Sequence, residues 1–108
     1  MAASDYFPGI DRVVRVARTW PRIFAEEPGG TLPVSIEGER LVVLCAGNEP
    51  LAMVRDNAEQ IVRLLNRLLD GDDVIASVEA VQVTRTEMFL ARDMLAIKTW
   101  LMDFNVGI

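Results

Sequence analysis

Histidine is missing from all 108 residues. Its absence removes the commonest metal ligand and the commonest general base near neutral pH. One cysteine, Cys45, can form neither an internal disulfide nor a thiolate zinc site, and it fits a reducing interior. The chain contains no GxxxxGK[ST] phosphate loop and no GxGxxG turn, so nucleotide hydrolysis is not expected. No apolar run approaches the roughly eighteen residues needed to cross a bilayer. The opening MAASDYFPGI lacks the basic-then-apolar layout of a secretory signal. No cofactor, metal or membrane is expected, and a cytoplasmic location follows.

What is present suits one small domain. Half of the residues are apolar, enough for a modest core. The net charge of −5 argues against coating nucleic acid by charge alone. The charge is unevenly placed, however. Ile10 to Phe24 carries four arginines and one aspartate, whereas residues 26–39 carry four glutamates and no base.

Residues 1–9 read as a lead-in closed by Pro8-Gly9. From Ile10 to Ala25, helical spacing places Ile10, Val13, Val14, Ala17, Trp20 and Phe24 on one face, with Arg12, Arg15, Arg18 and Arg22 opposite. Pro21 predicts a kink or restart. TLPVSIEGERLVVLCAG reads as a β-hairpin: Leu32, Val34 and Ile36 alternate along the first strand, Glu37-Gly38-Glu39 turns, and Leu41 to Cys45 form the second. Pro33 belongs at an edge. A long helix follows, capped by Asn48 and running past Leu51, Val54, Ala58, Ile61, Leu65, Leu68 and Leu69 to Asp70-Gly71-Asp72. Val74 to Thr84 predicts a third strand, parallel to the second because a helix crossover separates them. The last segment reads as a helix with a capping-box-like start at Thr86 and Glu87. Leu90, Met94, Ile97, Trp100, Leu101 and Phe104 form its apolar stripe, widened by Met88, Phe89, Leu95 and Met102. The expected fold is α+β, in the order α-β-β-α-β-α, with a three-stranded sheet packed by helices on one face.

The arginine stripe has three readings, one of them contact with a protein partner. In the other two it contacts phosphates, giving a weak and salt-sensitive grip, or it is a solvated face paired with nearby glutamates. Arg55, Arg63 and Arg67 either extend a basic surface from the long helix or, the favoured reading, pair with Asp56, Glu59 and Asp70 beside them. Trp20 reads as a core anchor, Cys45 as a buried hydrophobe, and the acids Asp70, Asp72 and Asp73 as a helix-ending turn. The terminal stripe, Met94, Ile97, Trp100, Leu101 and Phe104 above all, either packs on the domain's own sheet, self-associates, or docks to another protein.

Trp20, Ile23, Pro33-Val34, Gly38, the LVVLC strand and IVRLLNRLL together resemble the DciA family of bacterial replication proteins over residues 10–84. The resemblance implies a KH-like domain at residues 10–84. It implies a non-enzymatic factor that binds the replicative helicase and assists its loading on single-stranded DNA. A G-x-x-G nucleotide clamp is not expected, because the nearest candidate, Gly47-Asn48-Glu49-Pro50, offers one glycine and an acid. Residues 85–108 lie outside the resemblance and stand as a docking or oligomerisation helix. The alternative is a homo-oligomeric interaction domain of the same fold, a homodimer through that helix, without nucleic-acid binding.

Overall fold

A computed structural model describes residues 10–24, 30–69 and 74–106, apart from the side chains of Ile10, Met102 and residues 104–106. The lead-in at 1–9 and the acids Asp70, Asp72 and Asp73 lie outside the described residues. The first helix, α1 (Ile10–Thr19), stops where proline requires. Pro21 brings no amide and disfavours α geometry at Trp20, so the chain tightens into a 3₁₀ turn over Trp20–Ile23. Trp20 is the expected core anchor. Its buried indole N–H donates to the Thr31 hydroxyl at 3.0 Å, and its ring meets Phe24 edge-on at 5.1 Å.

α1 is buried more broadly than its apolar spacing predicts. Val16, assigned to no face above, is fully buried beside Trp20 in the main core. Val13 and Val14 belong to a second cluster with Ile36, Leu95 and Leu101. The helix is therefore held between the sheet and the last helix.

The hairpin comprises β1 (Thr31–Glu37) and β2 (Arg40–Ala46), joined by Gly38-Glu39. Gly38 has φ +66°, which only glycine adopts without cost. Leu41, Val43 and Cys45 alternate into the core, while Val42 and Leu44 are half-buried. The expected facing of β1 is wrong for its first half. Thr31 and Pro33 point inward, opposite Cys45 and Val43, and Leu32 and Val34 do not. A bulge between Pro33 and Ser35 inserts one extra residue and reverses the faces, so Ile36 joins the core side opposite Leu41.

The single long helix expected after the hairpin is two. Gly47, at φ +113°, caps α2 (Asn48–Asp56), and Asn48 is its first residue rather than its cap. The chain breaks at Asn57, and α3 (Ala58–Leu69) follows. The Asn57 side-chain amide donates to the Met53 carbonyl at 2.8 Å, and its backbone N–H reaches the same oxygen at 3.2 Å. Its own carbonyl accepts from Ile61 N–H at 2.9 Å, so the break leaves its backbone groups bonded.

The third strand is shorter than read. β3 spans Ser77–Val83, parallel to β2 as the crossover rule requires. Val74 to Ala76 lie before it, with Val74 exposed and Ile75 fully buried. Asn66 of α3 holds that segment. Its amide donates to the Ile75 carbonyl, and its oxygen accepts from Ile75 N–H, both at 2.8 Å.

The sheet order is β1-β2-β3. Val16, Val54, Ile61, Leu65 and Leu69 from α1, α2 and α3 meet the same face as Leu41, Val43, Val78 and Ala80. The last helix, α4 (Arg85–Val106), starts at a capping box on Thr84, two residues earlier than expected. The Thr84 hydroxyl accepts from Glu87 N–H at 3.1 Å, and the Glu87 carboxylate accepts from Thr84 N–H at 3.3 Å. Met88 is buried, and Leu95 and Leu101 pack on Val13 and Val14. Among the described residues the architecture is a small α+β domain with a mixed three-stranded sheet and four α-helices.

Candidate docking and nucleic-acid surfaces

Three surfaces carry the groups that sequence singles out. The arginine face of α1 is the first. Arg15, Arg18 and Arg22 are exposed and Arg12 is half-buried. Arg18 does not face solvent alone. One of its guanidinium nitrogens donates to both carboxylate oxygens of Asp103, at 2.8 and 2.9 Å, bridging α1 to α4. Both partners are more than half exposed, so the bridge contributes at most about 1 kcal/mol. Its larger effect is on charge, because it neutralises one of the four arginines of the stripe. Arg12 and Arg15 also make interactions of their own.

The second surface is a cleft of about 490 Å³ between α3 and β3. Ala58, Val62, Ala76 and Val78 make its walls, with Glu59 and Arg63 at the rim. Beside it, a polar hollow of about 480 Å³ spans the α2–α3 junction from Arg55 through Asn57 to Gln60 and shares Ala58, Glu59 and Arg63. The hollow touches only the two helices and their junction, and of the two depressions the cleft alone reaches β3. Glu59 and Arg63, spaced as an i,i+4 pair, form no ion pair and stand as separate rim charges. Sequence reading misses this cleft because it depends on the break at Asn57 and on the true start of β3. Neither disturbs the apolar period.

The third surface is the outer face of α4. Phe89, Leu90, Met94, Ile97 and Trp100 are each half exposed or more, from 50% to 62%. Leu101, read as part of the same stripe, turns partly inward onto Val13 and Val14. The Phe104 side chain lies outside the described residues. The structure thus brings Met94, Ile97 and Trp100 together on an open face and separates Leu101 from them.

Two groups away from these surfaces sit where their surroundings shift their pKa. Arg40, at the hairpin turn, hydrogen-bonds Glu37 and lies 3.2 Å from Glu79 of β3, and these contacts raise its pKa further. The Cys45 thiol, inside the core, is pushed up by burial, with a smaller opposing pull from Arg55. Among the described residues no group of acids and cysteine could hold a metal ion. No described helix is long and apolar enough to cross a membrane. Comparison with known protein families finds no match, and no curated protein is similar at a significant level.

Proposed function

We propose that this chain is a non-enzymatic replication adaptor of KH-like fold, which engages a replicative helicase and assists its loading on single-stranded DNA with a weak grip of its own. The observation that carries the reading is the conjunction of motif residues with their structural work. Trp20 anchors α1 through Thr31, Pro33 precedes the bulge, Gly38 turns the hairpin, and Asn66 clips the crossover. The residues behind the DciA resemblance thus each hold a distinct joint of the fold. The mixed sheet beside a split helix pair supports a KH-like reading. The chain has no G-x-x-G, so any nucleic-acid contact relies on arginines rather than a backbone clamp. Arg15 and Arg22 on one face, and Arg55 and Arg63 at the cleft, are the cations for that contact.

The test uses the purified chain with the replicative helicase of the same cell. Co-migration in size exclusion at micromolar concentration and stimulated unwinding are expected. With three or four phosphate contacts, the logarithm of DNA affinity falls with log salt at a slope of about −2 to −3 for single strands. R15E/R22E abolishes DNA retention while leaving the helicase complex intact. Absence of both co-migration and stimulation rejects the reading.

A second reading has one observation in its favour. The Arg18–Asp103 bridge withdraws charge from the stripe while α4 keeps an open apolar face. Both suit a homo-oligomeric interaction domain that does not bind nucleic acid.

A further inference from the structure

The arginines of α1 account for phosphates but leave the bases of a bound strand without a partner. A base stacks on an exposed ring. Trp20 is buried and Phe24 packs against it, so neither offers one. Among the described residues the exposed rings are Phe89 and Trp100, both on α4. Trp100 shares its hollow with Asp103, whereas Phe89 stands between two cations.

Arg85, Phe89 and Arg92 recur at spacings of four and three. They fall within about 60° of the helix circumference and about 10 Å of its length. All three line one hollow of about 450 Å³ between the start of α4 and the start of α2. Arg85 and Arg92 are exposed, and neither has an ion-pair or hydrogen-bond partner among the described residues. The far wall is Gly30, Ala46, Glu49 and Pro50. It offers an anion few amides, because the Ala46 N–H is taken by the Gly30 carbonyl at 2.8 Å and Pro50 has none. Glu49 is the acid on that wall, set against two guanidinium groups. Two cations flanking a ring match a polyanion whose phosphates alternate with flat bases. An acidic peptide would satisfy the arginines but brings no repeating flat group to the ring.

We propose that Arg85, Phe89 and Arg92 form a single-stranded nucleic-acid subsite. One base stacks on Phe89, and the phosphates on either side of it meet Arg85 and Arg92. The inference deepens the first reading above and rests on its DNA grip, but not on helicase binding.

Equilibrium binding of the full chain at low salt, to a thymidine oligonucleotide and to an abasic strand of equal length, tests it. The wild type binds the thymidine strand about tenfold tighter than the abasic one. F89A loses about tenfold on the thymidine strand and nothing on the abasic strand. F89W keeps wild-type affinity for both. R85Q and R92Q each lose about threefold on both strands alike, because phosphate contacts carry no base information. E49Q binds both more tightly. Far-ultraviolet circular dichroism is unchanged throughout, since every substituted site is exposed. Equal wild-type affinity for the two strands, or an F89A protein that binds thymidine as the wild type does, overturns the proposal and leaves the arginine grip of α1 standing. A wild type that retains neither strand overturns it together with that grip. An F89A or R85Q protein that keeps DNA but loses helicase co-migration assigns the stripe to a protein and likewise overturns it.

Discussion

At the scale of single residues, the most informative side chain is one with no role at a surface. Cys45 lies opposite Thr31 on β2 with no solvent exposure. Burial favours its neutral thiol, so its pKa in the folded chain is above the ordinary value of 9.0. The unfolded chain ionises first as pH rises, and the folded chain does not follow. Stability from this group is therefore complete below about pH 9 and declines above it, by up to about 1.4 kcal/mol per pH unit, until the folded thiol itself ionises. Urea unfolding of wild type and C45A from pH 7 to 10.5 checks this: the alanine variant lacks that part of the alkaline decline. Cys45 was legible from sequence as a buried hydrophobe because a strand of continuous apolar residues leaves little else for it to be. Val16 was not, since a helix wedged between two clusters buries positions that a one-faced pattern assigns to neither side.

Elements show where local pattern ends and tertiary structure begins. The hairpin, its glycine turn and the parallel third strand follow from alternation, positive φ and crossover handedness, all of which are local or topological rules. The break at Asn57 was invisible for a physical reason. Val54 and Ile61 are seven residues apart, two helical turns, so the apolar phase passes through the interruption unchanged. The bulge in β1 was equally hidden, since Leu32, Val34 and Ile36 alternate correctly for a strand that never shifts. The cleft between α3 and β3 depends on the segment that Asn66 positions. That side chain replaces a strand partner for Ile75, giving it one donor and one acceptor. N66A leaves both backbone groups short of a partner in a half-buried setting and costs about 2–3 kcal/mol. N66D keeps the acceptor, loses the donor, and falls between. Chemical denaturation of the three proteins measures the order.

For the molecule as a whole, α4 ties its two ends together. Truncation after Thr84 would uncover Val13 and Val14, so surface substitutions probe this helix more cleanly than deletion does. Asp103 joins α4 to the arginine face without burying charge. D103N frees Arg18 and moves the net charge from −5 toward neutrality by one. Its stability falls by less than about 1 kcal/mol, because the pair is solvent-screened. Affinity for single-stranded DNA rises and its salt slope steepens by about 0.7, the share of one added phosphate contact. Filter retention across a salt series measures both. An unchanged slope would mean that Arg18 does not touch phosphate.

The sheet is asymmetric in what its two margins can accept. β1 carries Pro33, which has no amide to offer, and a bulge that bends its line of donors. β3 carries seven residues with neither proline nor bulge. A foreign strand therefore has one straight margin to join. Strand addition would be a terminating event, yielding discrete pairs, where a sheet with two open margins would elongate into fibres.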